Sequence, residues 1–181
     1  MNRKPLLALF AGLLTFSLVA AACGGGSGGG GGGGSGTSNT WVGKLAETDS
    51  YIAILKSGLE HLIFITNGKD IAYWFKGTIG VAGAGVFVLQ DQDLHAINAR
   101  PQGSNYTGLV TVAPGQHVQF NATPAKGEAG LYRAKDASGQ SAWIVLEDGS
   151  LRGAKVADDG KLVEGLATRG GEKWTDAAAE P

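Results

Sequence analysis

The sequence is short of several residues, and each shortage closes off a class of chemistry. Cysteine occurs once in 181 residues, at Cys23. A domain with one thiol forms no internal disulfide, and zinc sites built on thiolates are excluded. Its stability therefore rests on burial. Histidine occurs three times, at His61, His95 and His117, in no His-x-His or His-Glu-x-x-His spacing. Surface positions are expected for all three, with no metal and no cofactor. Charge of one sign is equally scarce: 15 Lys and Arg stand against 16 Asp and Glu, a formal charge of −1. No basic patch is present, so neither nucleic acid nor electrostatic docking on anionic lipid is an expected partner. The apolar stretch Leu6 to Val19 falls short of the ~20 residues of a membrane-spanning helix.

That stretch is the first positive signal. Asn2-Arg3-Lys4 gives a positive start, Leu6 to Val19 an apolar run, and Ala20-Ala21-Ala22 a small-residue end before Cys23. The segment resembles the lipobox of bacterial lipoproteins, although Ala20 stands where leucine is usual. The resemblance implies that Cys23 becomes the first mature residue and carries a diacylglyceryl thioether. The partner is then the membrane, and the location the extracytoplasmic face of a bacterial cell membrane. The alternative is an ordinary secretory signal cut near Ala22, leaving Cys23 a free thiol. Loss of Arg3 and Lys4 reduces the 15 basic residues to 13 against 16 acidic, a net charge near −3.

Gly24 to Gly36 follows with eleven glycines and two serines. It buries nothing and reads as flexible coil, spanning roughly 20–25 Å to Thr40. No Gly-Lys-Ser/Thr follows, so it is not a phosphate loop. The expected organisation is a signal over 1–22, a lipidated cysteine and linker over 23–39, an all-β domain over 40–168 and a frayed tail over 169–181. Trp174 is the one apolar anchor in that tail. About 130 residues remain for folding, enough for one domain.

From Trp41 onward, short alternating apolar blocks recur between turn residues, which predicts an all-β fold. The expected strands are Thr40–Leu45, Tyr51–Lys56, Leu59–Thr66, Asp70–Ile79, Gly85–Gln90, Leu94–Ala99, Tyr106–Val112, His117–Ala122, Gly130–Lys135, Ala142–Glu147 and Leu151–Val156, with Leu162 to Leu166 as a further short one. Turns fall at Lys56-Ser-Gly, Asn67-Gly68, Pro114-Gly115, Asp148-Gly149 and Asp159-Gly160. The short connections predict an antiparallel meander of about eight to ten strands, barrel or sandwich. An internal echo, aromatic-x-Gly-x-aliphatic, recurs at Trp41–Leu45, Phe75–Ile79 and Tyr106–Val110. Glycine inside a strand marks a sharp bend or close backbone approach, as at barrel corners.

Four segments carry a second resemblance: Leu62-Ile-Phe-Ile-Thr-Asn-Gly68, Ala72-Tyr-Trp-Phe-Lys-Gly77, Ala129-Gly-Leu-Tyr-Arg-Ala134 and Ala142-Trp-Ile-Val-Leu-Glu-Asp-Gly149. They resemble a family of small secreted or lipid-anchored bacterial proteins with a comparable Ala-Gly-Leu-Tyr-Arg-Ala segment and a Trp-Ile-Val-Leu segment. Here Ser141-Ala142 replaces that family's usual glycine, and Glu147 its proline. The resemblance implies fold and location and brings no chemistry.

Candidate chemistry is sparse. Asp91 and Asp93 lie one residue apart in a turn but lack the glycine and distal glutamate of a calcium loop. Ser104, Ser138, Ser141 and Ser150 lie in or beside turns, with no Gly-x-Ser-x-Gly elbow. No catalytic residue is expected. In Tyr73-Trp74-Phe75, Trp74 faces opposite to its neighbours, toward either core or ligand. Trp143 and Val145 share one face, Ile144 and Leu146 the other, with Trp143 expected in the core. Arg133 is expected to face outward beside inward Tyr132 and Ala134 and to be solvated, with snorkelling over an aromatic or binding an anion as the alternatives. Trp74 and Arg133 are thus the candidate ligand residues. Three readings follow: a module binding a small ligand, a glycan or an envelope protein; a structural or assembly protein; and a cofactor-free hydrolase.

Overall fold

The computed structural model describes residues 39–78, 87–90, 95–158 and 161–175. Cys23, the glycine tract, the Asp91–Asp93 turn and Asp159-Gly160 lie outside the described residues. Every described element is a β-strand, and every pairing is antiparallel. Strands β1 (Thr40–Leu45), β2 (Tyr51–Ser57), β3 (Glu60–Thr66), β4 (Ala72–Thr78), β5 (Phe87–Gln90), β6 (Ala96–Gln102), β7 (Asn105–Ala113) and β8 (Gln116–Pro124) form one eight-stranded sheet. Its order is β4-β3-β2-β1-β8-β7-β6-β5. Two four-stranded meanders are joined where β1 pairs with β8, Trp41 opposite Pro124 and Leu45 opposite Phe120. The sheet curls into a nearly closed barrel. A second sheet, ordered β12-β11-β10-β9-β13, comprises β9 (Gly130–Asp136), β10 (Gly139–Val145), β11 (Leu151–Val156), β12 (Leu162–Leu166) and β13 (Glu172–Lys173). The expected meander is there, with a further sheet beside the barrel.

The period-2 pattern decides which faces are buried. On β8, Val118, Phe120 and Ala122 face in while Gln119 and Asn121 face solvent. On β2 and β3 both faces are apolar and buried, because the second sheet covers them outside. Three cores result. Ile52, Ile54, Ile63, Ile65, Phe75, Ile97 and their neighbours fill the barrel. Outside the wall, Ala53, Leu55, Leu62 and Phe64 meet Leu131, Ala142, Ile144 and Trp174. Tyr132, Trp143 and Val145 pack on the far face of the second sheet. Each buried aliphatic side chain contributes about 1.5–3 kcal/mol relative to exposure, so the strands hold wherever both sides are covered.

The echoed glycines sit at close approaches. A side chain on Gly43 would collide with the Asn121 carbonyl, and one on Gly108 with that of Asn98. A side chain on Gly77 would meet Leu89, across from β4 on β5. These are the tight points of a curled sheet.

Two expectations need correction. The segment from Arg169 does not fray as a whole, since β13 pairs with β9, Glu172 opposite Arg133 and Lys173 opposite Tyr132. The Trp174 amide then donates to the Leu131 carbonyl at 2.8 Å, and its ring is 2 % exposed. Strand β10 starts at Gly139 rather than Ala142. Asp136 accepts from the Ser138 amide at 2.8 Å, and this bond turns the chain within two residues.

Candidate functional site

The barrel mouth is the first place to look for a ligand, and it is occupied by the protein itself. Ile52, Ile54, Ile63, Ile65 and Ile97 are fully buried in the lumen, and Phe75 nearly so. His61 shares their face of β3 and is 2 % exposed, which overturns the surface reading made for it. Its Nδ1 lies 3.1 Å from the Leu59 carbonyl and its Nε2 3.2 Å from the Tyr106 hydroxyl. Tyr106 meets the Trp41 ring edge-on at 4.8 Å, and Trp41 Nε1 donates to the Ser104 carbonyl at 2.7 Å. This chain ties β3, β7 and β1 together across one end of the barrel. Burial lowers the His61 pKa and raises that of Tyr106.

The two candidate ligand residues come together, but around a residue of the same chain. Trp74 stacks on Phe64 with ring centroids 4.2 Å apart and lies 5.7 Å from Trp174. No open aromatic platform remains on β4. The Arg133 guanidinium stands 4.5 Å over the other partner, the Trp174 ring, and Nε is 3.8 Å from a Glu172 carboxylate oxygen. Leu131 and Arg133 therefore share the barrel-facing side of β9, while Tyr132 faces the outer core. The outward placement expected for Arg133 is corrected, and its snorkelling over an aromatic is what the chain adopts. Trp143 is 6 % exposed and in the core, as expected.

The remaining polar residues serve turns and strand pairs. Ser150 donates its hydroxyl to Asp148 and receives that of Tyr51 at 3.0 Å. Those Ser150 hydrogen bonds hold the Asp148 carboxyl below its usual range. Ser138 caps Asp136, whose carboxyl is held far below its usual range by Lys155 and by Ser138 itself. His117 pairs with Thr111 Oγ1 at 2.9 Å, and His95 stacks on Tyr73 at 3.8 Å. Among the described residues, no three His, Cys, Asp or Glu side chains are grouped to hold a metal.

One surface was not singled out by the sequence. Strands β6, β7 and β8 are not covered by the second sheet, and their outward side chains run Asn98, Arg100, Gln102, then Thr107, Leu109, then Gln119, Asn121. They line a groove of about 670 Å³. No Asp or Glu occurs between His95 and Pro124. That run of neutral amides without acids is the signal by which the sequence marks this wall. No known family model, no curated protein and no solved structure matches this chain.

Proposed function

We propose that this chain is a lipid-anchored, non-catalytic binding module of a bacterial cell envelope, held by Cys23 and the Gly24–Gly36 tether. Its ligand is a glycan, taken on the open wall of β6, β7 and β8. The observation that carries this reading is the acid-free, amide-lined groove. Asn98, Gln102, Gln119 and Asn121 each offer paired donors and an acceptor, as a hydroxyl-rich chain requires. Strand pairing sets Gln119 and Asn121 about 6.7 Å apart along β8, and places Asn98 about 9.6 Å from Gln119, two strands away across Leu109. Arg100 adds one cation, and no carboxylate on these strands repels an anionic polymer.

The assembly reading would favour a flat apolar patch. Of the exposed large apolar side chains among the described residues, Leu59 lies in a turn, Val163 is on the second sheet, and Asn98 separates Val88 from Leu109. Single apolar residues of this kind are ordinary.

Thermal shift on the fragment from Gly36 onward tests the proposal with soluble oligosaccharides of envelope type. A ligand at a hundred times its Kd stabilises by about 2.7 kcal/mol, a shift of several degrees. Asn98→Ala together with Asn121→Ala should abolish that shift while leaving the unliganded Tm within a degree or two. A shift that survives in the double variant places the ligand elsewhere.

A further inference from the structure

A second recognition feature lies on the other sheet and does not depend on the glycan reading. Arg133 and Lys135 are two residues apart on β9 and so project from the same face. Gln140 stands directly opposite Lys135 across the β9–β10 ladder, and Ala142 opposite Arg133. Arg133, Lys135 and Gln140, with Ala134, Gly171 and Glu172, line a cleft of about 560 Å³.

Gln140 is its informative member. The side chain is 7 % exposed, and its Nε2 is buried with no hydrogen-bond partner. Native folds seldom leave a buried donor without an acceptor, so this one calls for a ligand that accepts. Among the described residues that line the cleft, two cations, Arg133 and Lys135, stand against one carboxylate, Glu172, and specify its sign. Lys135 is exposed and makes no ion pair among the described residues. Glu172 is 78 % exposed and only 3.8 Å from Arg133 Nε, a loose and solvent-screened pair that an incoming anion displaces. Gly171, at φ +70°, lets the chain come close against β9 at the edge of the cleft: any side chain there would collide with the Arg133 carbonyl.

We propose that this cleft binds a small oxyanion group, a carboxylate or a phosphate, held by the Arg133 guanidinium, the Lys135 ammonium and the Gln140 amide. Arginine presents a planar fork to such a group, and lysine adds a point charge. Glu172 faces only the Arg133 end of this set, and the oxyanion takes its place there.

The test uses the full-length, ¹⁵N-labelled protein in detergent micelles, titrated separately with inorganic phosphate and with acetate at fixed ionic strength. The readout is the Gln140 side-chain amide resonance. A saturable shift with either ion supports the site, and the ion that saturates identifies the ligand chemistry. Lys135→Gln, at an exposed position that leaves the fold intact, should weaken binding about tenfold. Glu172→Gln should tighten it, and Lys44→Gln, on β1, should leave it unchanged. A Gln140 resonance that does not saturate with either ion overturns the proposal. So does an affinity that Lys135→Gln leaves unaltered.

Discussion

His61 faces the barrel lumen beside Ile63 and Ile65, where a charged ring is poorly tolerated. The Leu59 carbonyl can only accept, so the proton sits on Nδ1 and Nε2 accepts from the Tyr106 hydroxyl. Burial lowers the pKa below the ordinary 6.5. The unfolded chain therefore takes up a proton near pH 6.5 that the folded chain refuses. Stability rises with pH across that window and is lost as pH falls through 6.5 towards the folded value. Melting followed from roughly pH 7.5 to roughly pH 5.5 should show a falling Tm, and His61→Gln should flatten the profile. A wild-type profile already flat over that range would sink the assignment. Asp136 acts in a separate window: its carboxyl is held low by Lys155 and Ser138, so its contribution is complete above the ordinary 3.8 and is lost as pH falls from there towards the folded value. The residue scale was only partly legible. Period 2 placed His61 in a strand, but nothing local indicated that both faces of that strand would be buried.

At the scale of elements, β13 and Trp174 close the core between the two sheets. The indole contacts Trp74 and lies under Arg133. Arg169 bonds Glu128 at 3.0 Å, and Lys173 Nζ donates to the Gly127 carbonyl at 2.8 Å, so the strap is fixed at several points. Trp174→Ala should cost about 3–5 kcal/mol in urea unfolding. It should also expose Trp74, which stacks on Phe64, to fluorescence quenchers. A loss below about 1 kcal/mol would mean the strap is an accessory. Strands were the most legible elements: Thr40–Leu45, Leu151–Val156 and Leu162–Leu166 fall where the alternation puts them. Turn chemistry is equally local, and Asn67 shows why. Its Oδ1 accepts from the amides of Lys69, Asp70 and Ile71 at 2.9–3.0 Å, while Gly68 takes φ +73°. The strap was not legible, because a two-residue strand has no period and its partner β9 lies far back in sequence.

At the scale of the whole molecule, the proposed anchor at Cys23 can be tested separately from the fold. Cys23→Ala should shift the protein from the membrane fraction to the medium, or leave it unprocessed. Membrane retention as in the wild type would remove the anchor from the account. The amide-lined wall of β6, β7 and β8 was the least legible feature. Amides and threonines on a strand read as ordinary solvent-facing residues, and their convergence on one groove depends on β6, β7 and β8 lying side by side.

The order of the strands has a further consequence for biogenesis. Val42 of β1 and Trp174 belong to the same buried cluster. In a chain made N-terminus first, β1 to β4 are complete, with apolar residues on both faces, long before β8 and the second sheet exist to cover them. Such non-local closure is slow and leaves sticky intermediates. The half-made protein is thus a natural client for chaperones, and a chain cut before Trp174 is an easy substrate for proteases.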